Sequence, residues 1–289
     1  MKQGVNADDV QGWLAVRLSG RSLSRRQEAV VSVLRSQPRL ASYSSAMEVA
    51  AAAGSNASTV TRTAQALGYA GWAAFQVEFR SRFLASLSAV DVAAEHRATT
   101  SDASKQAIVT DQAHLAHLHR SIDVGAIRQV AEAITGARRT WIIASGSYAI
   151  PGRALEHNVG IAGYDIRLLD ADVATLANSL ASGQADDVAV VFSLWRVYDS
   201  TVRAIGIAAA RGMRVLVITD DVASEVAEHA DAVLVVPSEG AGFFPSLVPS
   251  LSLAQAIAVE VASIDPDRST ASISASETTW DALRIMRPR

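Results

Sequence analysis

Residues 54 to 71, Gly-Ser-Asn-Ala-Ser-Thr-Val-Thr-Arg-Thr-Ala-Gln-Ala-Leu-Gly-Tyr-Ala-Gly, gather short polar side chains and one arginine at the start of a helical stretch. Asn56, Ser58, Thr59 and Thr61 are small enough, with Ala57, to let a helix sit deep in a groove. Their hydroxyl and amide groups reach phosphates or base edges, and Arg62 can fork onto guanine O6 and N7 or hold a phosphate. Arg25 and Arg26, at the start of an earlier helical segment, are candidates for backbone contacts. A helix that reads DNA places its N-terminal residues over the base edges in this way. The same spacing also fits a plain three-helix bundle in which Ser and Thr serve only as caps.

A second cluster invites metal chemistry. His114, His117 and His119 fall within six residues. Spacings of three and five do not put all three on one helical face, and no carboxylate is placed as a further ligand. A solvated helix face is the better reading. With no cysteine in the chain, disulfides and thiolate metal sites are excluded.

These residues need elements to position them. Ser24 precedes Arg25-Arg26-Gln27 as a capping box, and Val30, Val31, Val33 and Leu34 continue that helix until Pro38. Ser44 or Ser45 caps the next helix, which runs to about Ala53, where Gly54 ends it. Asn56 caps a third helix with Val60, Ala64 and Leu67 on its buried side. Gly68 and Gly71 break it. A fourth, from Trp72 to about Leu87, carries Trp72, Phe75, Phe79 and Phe83 as a core stripe.

From residue 124 the pattern changes. Runs at Thr140–Ala144, Asp165–Leu169, Val188–Phe192, Arg214–Ile218 and Ala232–Val236 read as strands, most of them with the continuous apolar character of burial on both faces. Helices fit at Ile150–Ala162, Val173–Ser182, Asp199–Ala210, Ser224–His229 and Pro245–Val261. This alternation predicts right-handed βαβ units and a parallel sheet of about five strands. The expected organisation is a helix-turn-helix domain over 1–90, a linker and helix over 91–122, an α/β domain over 123–263 and a mobile tail over 264–289. A short helix fits around Trp280 in that tail.

Charge follows the same division. Residues 1–90 hold ten Lys and Arg against five Asp and Glu, whereas the remainder holds sixteen against twenty-four. A basic front and an acidic back suit a nucleic-acid-binding module joined to a sensing module. The chain has 289 residues, 49% hydrophobic and 19% charged, enough for a substantial core. It has neither a signal-peptide pattern nor an apolar run of roughly 20 residues. A soluble cytoplasmic protein is therefore expected.

Ser45 to Phe79 resembles the N-terminal domain of the RpiR family of bacterial transcription regulators. The matching words are Glu48-Val49-Ala50, then Ser58-Thr59-Val60-Thr61-Arg62, then Leu67-Gly68-Tyr69-Ala70-Gly71-Trp72. Asn56 stands where a serine cap is usual, and it is an equally good cap. The resemblance implies that residues 124–262 form a sugar isomerase (SIS) domain, a doubly wound α/β fold that often binds phosphosugars. It also implies three ligand loops: Ala144 to Tyr148, Ser193 to Ser200, and Thr219 to Asp221. For the strand order 2-1-3-4-5 the first two flank the topological switch point, where ligands bind.

The candidate ligand residues are thus Ser145, Gly146, Ser147, Tyr148, Ser193, Trp195, Arg196, Tyr198, Ser200 and Thr219. The loops depart from the family pattern Ser-x-Ser-Gly-x-Thr, since Trp195, Arg196 and Tyr198 replace its second Ser, its Gly and its Thr. Ala144 replaces a glycine of the first loop. Arg196 can fork onto phosphate or carboxylate while Trp195 stacks on a ring; alternatively Trp195 packs and Arg196 makes an internal ion pair.

Three functions are consistent with this sequence. The first is a ligand-responsive DNA-binding regulator, acting as a homodimer or homotetramer on a double-stranded DNA operator. Its effector would be a sugar phosphate or another small anion, such as a carboxylate, and it would need no cofactor, metal or membrane. The second is an SIS-type aldose–ketose phosphate isomerase, with Glu156, His157 and His229 as the only tempting bases. The third is a structural SIS oligomer with a vestigial site.

Overall fold

The computed structural model describes residues 10–88, 90–92, 94, 102–170, 172–220 and 225–285. The chain divides into two compact units, Met1–Thr100 and Ser101–Arg289.

The first unit is helical: α1 (Val10–Leu18), α2 (Arg25–Ser36), α3 (Pro38–Tyr43), α4 (Ala46–Ala52), α5 (Ala57–Ala66) and α6 (Trp72–Ser86). Side-chain caps set the helix starts. Ser24 with Gln27, and Ser45 with Glu48, form reciprocal capping boxes on α2 and α4. Asn56 Oδ1 accepts from the Thr59 amide at 2.9 Å and opens α5. Glycine sets the turn before it. Gly54 lies at φ 57°, its amide donates to the Ala51 carbonyl at 3.2 Å, and the Ser55 amide donates to the Ala50 carbonyl at 2.8 Å. This paired closure satisfies the last carbonyls of α4 and needs a left-handed residue, which glycine adopts without strain.

The core of this unit is aromatic. Phe75 and Phe79 are fully buried and stack at 5.4 Å between ring centroids. Trp13 packs tilted on Phe75 at 5.8 Å and edge-on to Phe79 at 5.9 Å. The predicted stripe of α6 is therefore core, as its spacing suggests. The α1 helix adds to that core without any prediction from the sequence, through buried Trp13 and Leu14.

The second unit comprises α7 (Ala103–Ser121), α8 (Val124–Gly136), β1 (Thr140–Ala144), α9 (Ala149–Ile161), β2 (Ile166–Leu169), α10 (Val173–Ala181) and β3 (Val188–Phe192). It continues through α11 (Asp199–Ala210), β4 (Arg214–Thr219), β5 (Ala232–Val235), α12 (Val248–Ile264) and α13 (Pro266–Ala282). All five strands are parallel in the order β2-β1-β3-β4-β5, and Ala144 pairs with Phe192 where β1 meets β3. Alternate residues feed two cores. Ile142, Val190, Phe192, Leu216 and Ile218 face α8, α9 and α12. Ile143, Val191, Val215 and Val217 lie in the other cluster with α11 residues Ala204, Ile205 and Ala208. Burial on both faces explains the continuous apolar runs of β1, β3 and β4, while the edge strands β2 and β5 are partly exposed. The fold is thus the expected pairing of a helical domain and a doubly wound parallel sheet.

The helix expected within 91–122 is α7, which buries Leu118 in the sheet unit's core and whose Asp111 accepts from the Ser246 hydroxyl at 2.5 Å. Three expectations need correction. The Ser224–His229 helix is only a 3-10 turn over Glu225–Ala227, with 221–224 outside the described residues. The closing helix starts at Val248, not Pro245, and runs to Ile264. The segment after 264 is not a mobile tail but the helix α13, with 286–289 outside the described residues. Asp265 caps it, Pro266 opens it, and the axis turns by 108° from α12. Arg268 anchors it by two donations to the Gly163 carbonyl, at 2.7 and 3.2 Å, and by lying 4.1 Å over the Tyr164 ring.

Among the described residues no single helix is long and apolar enough to cross a membrane. Nor do three or more His, Cys, Asp or Glu residues there form a group suited to a metal ion.

Candidate nucleic-acid interface and effector crevice

In the first unit, α4, the Gly54 turn and α5 form a helix-turn-helix. Val60, Thr63 and Ala64 face inward, while Ser58 and Arg62 are exposed. Asn56 is exposed too, but its side-chain oxygen holds the Thr59 amide and accepts from the Thr59 hydroxyl at 3.0 Å. Two of the predicted contact residues thus spend polar groups on their own cap. Thr61 is half-buried, with its methyl near Gly71. Arg25 and Arg26 are exposed in the first turn of α2. The Gln27 side chain donates to the Arg62 carbonyl at 3.4 Å and joins the start of α2 to the middle of α5. The three arginines therefore lie on adjoining helices. Sequence reasoning does not assign Gln27 this tie, because a bond across 35 residues leaves no local pattern.

A second device fixes the exit of α5. Gly68, at φ 98°, ends the helix through its amide on the Gln65 carbonyl and the Tyr69 amide on the Ala64 carbonyl. Tyr69 then donates to Glu78 Oε2 at 2.6 Å. Glu78 Oε1 accepts from Trp13 Nε1 at 2.9 Å and pairs with Arg17 at 3.2 Å. One carboxylate on α6 thereby gathers α1 and the chain leaving α5.

In the second unit, the loops after β1 and β3 leave adjacent strands, where the strand order reverses. After β1, Ser145 is extended, and Gly146 at φ 60° begins a 3-10 turn that runs into α9. A Cβ on Gly146 would come 3.3 Å from the Tyr198 hydroxyl, so the two loops meet there. Gly146 and Ser147 are exposed, whereas Tyr148 is buried. Burial first, and then the charge of Asp220 and Tyr198, pushes the Tyr148 phenol well above its ordinary value. Its hydroxyl has no hydrogen-bond partner.

After β3, Ser193 is buried and its hydroxyl is also without a partner. Trp195 is half-buried against the core and adopts φ 63°. Arg196, Val197 and Tyr198 are exposed, and Ser200 is half-buried in the first turn of α11. Thr219 is buried at the end of β4. Asp220, beside it, accepts from the Trp195 amide at 3.0 Å and from the Ser238 hydroxyl. The structure therefore brings Tyr148, Ser193, Trp195 and Tyr198 to one end of the sheet. It adds Asp220 and Ser238, which the sequence does not single out as ligand residues.

The raised phenol has a measurable consequence. A folded-state value above the unfolded one of about 10 favours the neutral phenol in the native protein. That contribution is complete below about pH 10 and is lost as pH rises toward the folded value. Wild type is expected to lose more stability than Tyr148→Phe between about pH 9 and 11, measured by urea unfolding. Equal losses in the two proteins would remove the effect.

The helix-turn-helix domain model of the rpiR family matches residues 12–86, and the SIS domain model matches residues 133–260. Together they span more than half of the chain. The chain belongs to the RpiR family. No curated protein matches it. Among solved structures, the sugar isomerase domain of an RpiR transcription factor from Sphaerobacter thermophilus is 28% identical with a TM-score of 0.57; the alignment covers 60% of this chain and 97% of that one. The Vibrio vulnificus NanR protein, solved with ManNAc-6P, is 18% identical with a TM-score of 0.60, covering 97% of this chain and all of that one. A protein from Escherichia coli CFT073 shares the fold at 12% identity and a TM-score of 0.51, covering 60% of this chain and 94% of that one. The RpiR pairing of a DNA-binding domain with an SIS domain is that of a ligand-responsive transcription regulator.

Proposed function

We propose that this RpiR-family chain binds a double-stranded DNA operator through α5 and the start of α2, and that a small effector at the β1–β3 crevice sets its affinity for that operator. The observation that carries the DNA half is the exposure of Ser58 and Arg62 on α5, with Arg25 and Arg26 on the helix tied to it by Gln27. The effector half rests on the two unpartnered, buried hydroxyls at the switch point. The NanR structure holds ManNAc-6P, a phosphorylated sugar, which supports a sugar phosphate or another small anion as the class of effector. A symmetric dimer or tetramer would present two α5 helices to two half-sites. A cytoplasmic location follows from this role.

The site does not favour an isomerase. Glu156, the strongest candidate base, accepts from the Leu168 amide on the edge strand at 2.8 Å and pairs with Arg153 at 2.6 Å. His157 and His229 are exposed on the surface. Abstraction of a carbon-bound proton needs a base within hydrogen-bond reach of the substrate.

The test is selection of genomic DNA fragments by the purified chain, followed by anisotropy titration with and without a metabolite panel. Enrichment of one palindromic site, with affinity shifted by at least one metabolite, is expected. No enrichment over bulk DNA refutes operator binding. Turnover of an aldose phosphate that disappears in Glu156→Ala refutes the non-enzymatic reading.

A further inference from the structure

The loop after β3 occupies the place where SIS folds commonly hold a phosphate, yet two successive amides of its turn, those of Trp195 and Arg196, are already engaged. The Trp195 amide donates to the Asp220 carboxylate at 3.0 Å. The next amide, that of Arg196, folds back onto the Leu194 carbonyl at 2.8 Å and closes a tight turn around Trp195. An anion cradle needs successive amides directed outward and an uncompensated helix start. Here α11 opens on Asp199, which places an acid in its own first turn. Arg196 adds one positive charge, and Asp199 and Asp220 add two negative ones. A phosphate dianion entering beside Asp220 would meet a like charge that already holds the amide it needs.

The remaining groups suit a different ligand. Ser193, at 4% exposure, and Tyr148, at 6%, each keep a hydroxyl without a hydrogen-bond partner. A buried hydroxyl without a partner is costly, and a ligand hydroxyl removes that cost. Asp220 is an acceptor for ligand hydroxyls, and the part of Trp195 that is not packed on the core can meet the C–H side of a sugar. A carboxylate, fixed hydroxyls and an aromatic face recognise a neutral polyhydroxylated molecule. We infer that the crevice takes an unphosphorylated sugar or polyol, with Asp220 and Ser193 reading its hydroxyls and excluding a phosphate from the β3 loop. This inference rests on the reading of the crevice as the effector site.

The experiment is calorimetric titration of the full chain with a panel of hexoses, pentoses and polyols, each beside its phosphate ester, and with inorganic phosphate. At least one neutral member is expected to bind about tenfold or more tighter than its ester. Asp220→Asn, which keeps the side chain's shape and removes its charge, is expected to narrow that ratio by gaining ester affinity. Ser193→Ala is expected to weaken the neutral ligand about tenfold while leaving the melting temperature near that of wild type. Esters binding tighter than their parents, or inorganic phosphate binding to wild type, would overturn the ligand class and leave the effector site standing. Binding of neither member of any pair would overturn both.

Discussion

Glu78→Ala is expected to cost the N-terminal unit about 3 kcal/mol, since charged hydrogen bonds contribute roughly 1.5–3 kcal/mol each and those sharing one carboxylate do not add fully. The carboxylate is 15% exposed and receives Trp13, Arg17 and Tyr69. Its removal leaves an indole N–H and a phenol without their acceptor beside the buried Phe75 ring, and Arg17 without its counter-charge. For a unit of this size that corresponds to a melting shift of about 12–24 °C. Amide exchange of α6 peptides should rise well above wild type, while peptides of β1 and β3 should not change. Glu78→Gln, which keeps one acceptor oxygen, should recover part of the loss. The exposed Arg128, paired with Glu132 and Glu260, supplies the contrast: its replacement by alanine should cost less than about 1 kcal/mol. A Glu78→Ala protein that melts like wild type would show that α1 is held by ring packing alone.

The Glu78 cluster also shows where sequence reading stops. β1, β3 and α11 lie on the residues that the sequence predicts, because strands buried on both faces and a helix with regular spacing declare themselves in local composition. The Gly54 and Gly68 closures are legible for the same reason: glycine adopts those backbone angles without strain. The α1 helix is not legible, since its role depends on Trp13 reaching a carboxylate 65 residues away. The α13 helix reads as a tail because Ser, Thr and Ala give it no strong apolar stripe; Arg268 on the Gly163 carbonyl, 105 residues distant, holds it instead. The crevice divides similarly. Its loops can be placed at strand ends, but the occupation of the Trp195 amide by Asp220 depends on how two loops approach in space. The replacement of Gly by Arg196 signals a changed loop without showing that its amides turn inward.

Arg62→Ala is expected to lower affinity for the selected operator by about 1–3 kcal/mol, roughly 5- to 150-fold, if Arg62 forks onto a base. Arg62 is exposed on α5, while the backbone carbonyl of the same residue is held by Gln27. The guanidinium can therefore be removed without disturbing the tie between α2 and α5, and stability should stay within about 0.5 kcal/mol. Base contact and phosphate contact then separate by measurement. Loss of a base contact weakens the operator and leaves random DNA almost unchanged. Loss of a phosphate contact weakens both and reduces the slope of log affinity on log salt by about one. Arg25→Ala and Arg26→Ala should follow the second pattern, since both lie at the start of a helix that flanks α5. If Arg62→Ala also weakens operator and random DNA equally, Ser58 and the face around it must carry the sequence reading, and Arg62 becomes a third backbone clamp.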